Sequence, residues 1–140
     1  MKIPIEICHI NKDIRKKPLE QKGIKRIEEV AIKHYKKKKF KVYNIYLKEG
    51  QDSLIDDIEK NKIKLNINKK KLINSIKTLG RFDLLCYKKN NWFFSEVKKI
   101  PNDKPQYHEN QIKWIKKYHN LLKNKIRFIF IVPKYWHVKE

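Results

Sequence analysis

Residues 81–98 read RFDLLCYKKNNWFFSEVK. Two runs rich in aromatic and apolar residues, FDLLCYK and WFFSEVK, flank the turn-forming KKNN, which is the pattern of a β-hairpin. Asp83 falls in the first strand, and Glu96 and Lys98 fall in the second. Carboxylates are rarely buried unless they are paired or bound to metal. Glu96 and Lys98 lie two apart, so on a strand they point to the same face. A hairpin turning at KKNN sets Asp83 opposite the Glu96–Lys98 segment. Two carboxylates and one amine then converge on one spot. Hard divalent cations favour such oxygens, and a metal there polarises a phosphodiester while a lysine stabilises the developing charge. An ion pair of Lys98 with Asp83 or Glu96 is the plainer reading, and spacing alone leaves it open.

Working outward from the hairpin, residues 18–38 read as one amphipathic helix. Pro18 suits its first turn, and Leu19, Ile24, Ile27, Ala31, His34 and Tyr35 recur near helical spacing. The lysine run 36–39 ends it. FKVYNIYL (40–47) reads as a strand, and MKIPIEICHI as a short strand or extended arm. Within 48–80, EGQDS looks turn-like, while LIDDIEKNKIKL and KKKLINSIKTL each fit a short helix, so the segment reads as a helical insertion. After the hairpin, IPNDKPQYH is a loop. ENQIKWIKKYHNLLKN is a helix that places Ile112, Ile115 and Leu122 with the rings of Trp114 and Tyr118. IRFIFIV has the pattern of a strand buried on both faces.

A chain of 140 residues fits one domain, 1–140, with a core near 18–47 and 80–132 and the insertion near 48–79. Its formal net charge is +21, which points to a polyanionic partner. The chain is 40% hydrophobic and 11% aromatic, too apolar for a basic disordered tail. Lys, Ile and Asn dominate while Gly and Ala are scarce, a bias typical of AT-rich genomes that discounts part of the charge. Cys8 and Cys86 are far apart and no CxxC occurs, so neither a disulfide scaffold nor a zinc ribbon is expected. The first residues lack the apolar run of a signal peptide, and no apolar stretch approaches the ~20 residues of a membrane span, so a soluble intracellular protein is expected.

The hairpin and its surroundings resemble the VRR-NUC domain, a branch of the PD-(D/E)xK nucleases. Gly80, Asp83 and Leu84 resemble its G-x-P-D-L strand. Glu96, Val97 and Lys98 match its E-V-K strand, Asn102 and Asp103 its N-D loop, and Gln111 and Trp114 its Q-x-x-W helix. Phe82 stands where a proline usually precedes the acid. The loop from Asp103 to Gln111 is longer than in the family, and residues 48–80 have no counterpart. The resemblance implies an α/β, restriction endonuclease-like core (αβββαβ), with the insertion between the first and second core strands. It implies a Mg²⁺- or Mn²⁺-dependent nuclease acting on branched or duplex DNA. Asp83, Glu96, Lys98 and Gln111 would be catalytic, and Glu28, Asp83, Glu96 and the Val97 carbonyl would hold metal. The family glutamate on the first helix is Glu28 or Glu29. The pattern E-x-x-A-x-x-x-Y, with Ala31 and Tyr35, favours Glu28, which also lies on the buried stripe.

Lys36, Lys37, Lys69, Lys70, Lys99, His108 and Lys113 are candidates for DNA contacts. Trp92, Trp114 and Trp136 read first as core or partly buried anchors, and Trp92, at the hairpin tip, is the one that could otherwise stack on a base. A Holliday junction resolvase of the same fold, or a basic nucleic-acid-binding module without catalysis, are the alternative readings. One such site cuts one strand, so symmetric cutting of both implies a homodimer. The apolar material of MKIPIEICHI and of the insertion would supply its interface.

Overall fold

The computed structural model describes residues 3–10, 26–99 and 109–133. Along the described residues the order is β1 (Ile5–Ile10), α1 (Arg26–Lys37), β2 (Lys41–Asn44), α2 (Lys48–Glu59), α3 (Lys69–Lys77), β3 (Leu84–Lys88), β4 (Asn91–Lys99), α4 (Glu109–Leu122) and β5 (Ile126–Pro133). The first stretch of the expected 18–38 helix, with Pro18, Leu19 and Ile24, lies outside the described residues, as do Asn102, Asp103 and His108.

One mixed sheet of five strands runs in the order β1-β5-β4-β3-β2. β2, β3 and β4 form an antiparallel meander, whereas β5 is parallel to both β4 and β1. The hairpin turns through Lys89 and Asn90, between the paired residues Lys88 and Asn91. Asn90 holds φ at 66°, a left-handed turn conformation that Asn tolerates. β5 carries Phe128, Ile129, Phe130 and Ile131, all buried, as its unbroken apolar run requires.

Strand alternation divides the core into two layers. Phe93 and Val97 of β4 face α1, where they join Ala31, Tyr35 and Cys86. Trp92 and Phe94 face the other way, where they meet Leu54, Ile58, Leu72, Ile76 and Trp114 from α2, α3 and α4. Each such fully buried aliphatic side chain stabilises the fold by about 1.5–3 kcal/mol. The insertion is therefore an integral layer of the domain. β1 is likewise hydrogen-bonded into the sheet. The apolar material expected to form a dimer interface is thus largely used within the chain.

Several local expectations are corrected. β2 stops at Asn44 rather than at 47, because the chain turns: Leu47 N–H donates to the Asn44 carbonyl at 3.2 Å. EGQDS opens α2 instead of forming a turn. Its glycine is there for close approach, since a Cβ on Gly50 would lie 1.9 Å from the Asn44 carbonyl oxygen. Ile112 is exposed on α4 rather than packed. Trp92, by contrast, is the core anchor its type suggests: it is buried, its Nε1–H donates to the Leu65 carbonyl at 3.1 Å, and it offers no stacking face.

Candidate active site

β3 begins only at Leu84, which pairs with Ser95. Asp83 therefore sits just before the strand, one step further along the register, beside Glu96. β4 runs on to Lys99 with no β3 residue opposite its last part. At this open end, side chains carried by both helical layers reach one cavity of about 430 Å³. Glu28 comes from α1, Asp83 from the turn, Glu96 and Lys98 from β4, and Gln111 from α4.

Each side chain is delivered by a nearby packing feature. Ala31 and Tyr35 lie one and two turns beyond Glu28 and are buried against the sheet, which aims Glu28 inward; the Tyr35 hydroxyl hydrogen-bonds Ser95 Oγ at 2.9 Å. Glu28 is 2% exposed, whereas Glu29 faces solvent. Gly80 holds φ at +93°, and a Cβ there would lie 2.1 Å from the Asn110 carbonyl oxygen. Only glycine lets the turn before Asp83 press against the start of α4. Trp114, one turn beyond Gln111, is locked by its Nε1–H donating to the Ser75 carbonyl at 2.9 Å.

The two hairpin acids are interlocked. Glu96 Oε1 accepts from the Asp83 backbone N–H at 3.2 Å, and Asp83 Oδ2 accepts from the Val97 N–H at 3.1 Å. The other Glu96 oxygen accepts from Gln111 Nε2 and lies 3.4 Å from Lys98 Nζ. Glu96, Lys98 and Gln111 are all buried. Burial, and then the neighbouring carboxylates of Glu96 and Glu28, push the Asp83 carboxyl well above the ordinary carboxylate range. In a strand the N–H and C=O of one residue point to the same side. The Val97 carbonyl therefore faces the same open edge as its N–H, toward Asp83.

These donors suit a hard divalent cation: three carboxylates and a strand carbonyl, all oxygen, with excess negative charge to neutralise. Among the described residues, no group of three His, Cys, Asp or Glu is already gathered closely enough to hold a metal ion. The hairpin carboxylates are instead engaged with backbone N–H groups, Gln111 and Lys98.

Residues expected to contact DNA are scattered. Lys36 and Lys37 are exposed at the far end of α1, about 12 Å along the helix from Glu28. Lys69 and Lys70 are exposed at the start of α3, whose other end leads to Gly80. Lys113 is exposed near Gln111 and pairs with Glu109 at 3.5 Å. Lys99 ends β4, and its side chain lies outside the description, as does all of His108.

Arg81 lines the cavity and escaped the sequence reading. Its Nε–H donates to the Ile45 carbonyl at 3.0 Å, and burial lowers its pKa while Asp83 opposes that shift. A signal was available: Arg81 is one of only four arginines in a lysine-dominated chain, and it stands two residues before Asp83. Tyr46 and Leu79 also line the cavity, both exposed.

Comparison with protein-family models, with curated proteins and with solved structures finds no match. Among the described residues, no helix is long and apolar enough to cross a membrane.

Proposed function

We propose that the protein is a metal-dependent nuclease with a restriction endonuclease-like core, hydrolysing phosphodiester bonds in DNA. One observation carries this reading: Glu28, Asp83, Glu96, Lys98 and Gln111, from four parts of the chain, line a single cavity at the open end of the sheet. The element order α1-β2-β3-β4-α4-β5, with α2 and α3 inserted after β2, supports the same reading. So does the resemblance of the hairpin motif to VRR-NUC domains.

Glu28, Asp83, Glu96 and the Val97 carbonyl would hold Mg²⁺ or Mn²⁺. When bound, such an ion polarises the phosphodiester and makes water a stronger nucleophile. The chain's own residues do the rest. Lys98, buried and 3.4 Å from Glu96, would stabilise negative charge developing on the phosphate. Gln111 holds Glu96 in place through its amide. Arg81, tethered to the Ile45 carbonyl, supplies a second cation at the cavity wall.

A basic nucleic-acid-binding module without catalysis is the competing reading, and the engagement of both hairpin acids with backbone N–H groups favours it. Incubation with labelled linear duplex, flap, nicked, four-way and single-stranded DNA, in Mg²⁺, Mn²⁺ or EDTA, separates the two. Metal-dependent cleavage that Asp83→Ala abolishes is expected. Binding without cleavage under every condition would leave the module. Preferential cutting of the four-way substrate would make the enzyme a junction resolvase.

A further inference from the structure

The end of the domain opposite the carboxylates holds a second cavity, of about 350 Å³. Lys64, Lys123 and Lys125 line it with Asn66, Asn90 and Asn124. They come from three segments: the loop before α3, the hairpin tip and the turn after α4. No Asp or Glu is among the described residues that line it. Lys123 adopts φ 49° at the end of α4, a left-handed conformation where glycine is the unstrained choice. A lysine there adds positive charge at a backbone cost.

Helix α4 connects the two cavities. Asn110 lines the carboxylate cavity, while Leu121 and Leu122, followed by Lys123, line the basic one. Thirteen residues at 1.5 Å each set Asn110 and Lys123 about 20 Å apart. Between them Lys113, Lys116, Lys117 and Asn120 are exposed, at spacings that form one stripe on the solvent side.

We propose that the basic cavity binds the phosphate backbone of a nucleic-acid strand, as a second contact continuous with the lysine stripe of α4. Its chemistry is that of phosphate contact alone. The Trp92 ring is buried, its N–H is committed to Leu65, and Lys125 Nζ sits 5.5 Å over the ring centre, so no face remains for a base. Binding there is accordingly insensitive to sequence. At 3.4 Å per base pair, 20 Å corresponds to about six base pairs beyond the carboxylate cavity.

Fluorescence anisotropy of a 20-base-pair duplex in EDTA tests this without any cleavage, so its outcome is independent of the nuclease reading. Lys64→Gln, Lys123→Gln and Lys125→Gln combined should weaken binding about tenfold or more, and should flatten the log–log salt slope by about 2 to 3, at roughly 0.9 per phosphate. The charge-matched control combines Lys33→Gln, Lys38→Gln and Lys48→Gln, on exposed lysines of the α1 side and the start of α2. It should change little. Arginine at 64, 123 and 125 should restore the slope, which a folding defect would not allow. Equal losses in the test and control variants would overturn the proposal, because diffuse charge would then suffice. Titration with inorganic phosphate should show no binding that depends on the three lysines, and saturable binding of that kind would overturn the assignment to a polymer.

Discussion

Asp83 and Glu96 hold one another's backbone environment. The Glu96 carboxylate accepts from the Asp83 N–H, and the Asp83 carboxylate accepts from the N–H of Val97, the neighbour of Glu96. The pair extends the β3–β4 ladder by side-chain contacts just before β3 begins. The arrangement is strained electrostatically, because burial and two nearby acids oppose ionisation of Asp83. Whatever neutralises that charge stabilises the site.

The first prediction follows from that charge. Asp83→Asn keeps the side chain's shape and its acceptor for Val97 while removing the charge. Cleavage should fall at least a thousandfold, DNA affinity should hold or rise, and the metal-free protein should melt at the same or a higher temperature at pH 7. The sign is fixed by linkage. A carboxyl whose folded pKa is raised binds more protons folded than unfolded, so stability drops as pH climbs from about 4 toward the raised value. A wild-type rate from Asp83→Asn would end the nuclease assignment.

Glu28 and Glu29 make a second comparison. Glu28 is buried in the cavity and Glu29 is exposed on the same turn of α1. Glu28→Gln should lower the cleavage rate by at least tenfold and weaken the melting-temperature rise induced by Mn²⁺. Glu29→Gln should change neither. Equal effects on rate would place the functional acid elsewhere on the helix.

How far the sequence was legible depends on which interaction governed each element. The hairpin was readable because its period of two and its turn are local. The choice of Glu28 over Glu29 was readable because helical spacing with Ala31 and Tyr35 sets one face inward. EGQDS was misread because Gly50 is required by the Asn44 carbonyl, a contact that spacing does not reveal. Trp92 was readable as a core anchor from its residue type, but its partner, the Leu65 carbonyl, was not, because it belongs to the inserted segment, whose path is not encoded near the hairpin. Arg81 was overlooked because its anchor is likewise distant, at Ile45. Contacts with the inserted segment and with the end of β2, which no local period encodes, were the unreadable part.

Asp57 was also overlooked, and it governs a third prediction. Lys41 Nζ at 2.8 Å and the Tyr43 hydroxyl at 2.6 Å both donate to its Oδ2. These hydrogen bonds, Lys41 first and then Tyr43, lower the Asp57 pKa. The unfolded chain therefore takes up a proton first, and the stabilisation is lost as pH falls through about 4 and below. Tyr43 behaves oppositely: burial, then Asp57, pushes its hydroxyl up to about 12. Its contribution is present below the unfolded value near 10 and fades as pH rises above it. Tyr43→Phe should cost about 1–2 kcal/mol at pH 7, and should flatten the loss of stability at both ends of a pH series followed by urea melts. An unchanged midpoint at pH 7 would mean that the triad is only a surface ion pair.

Gly50 supplies the last prediction, because propensity and packing disagree there. It is the third residue of α2, and replacing a helical glycine by alanine ordinarily stabilises a protein by about 0.5–1 kcal/mol. Here the added Cβ would lie 1.9 Å from the Asn44 carbonyl oxygen and 2.5 Å from its carbon, both backbone atoms. Neither can swing away as a flexible side chain would. The start of α2 must retreat from the end of β2, which weakens the Gln51 side-chain hydrogen bond to the Ile45 carbonyl, 2.9 Å in the intact protein. Arg81 shares that carbonyl, so the disturbance reaches the cavity wall. Gly50→Ala should therefore destabilise the fold, by about 2 kcal/mol or more on the scale of overpacking. A thermal melt reads the sign directly: a lower midpoint is expected, and a raised one would show that helix propensity outweighs the close approach of α2 to β2.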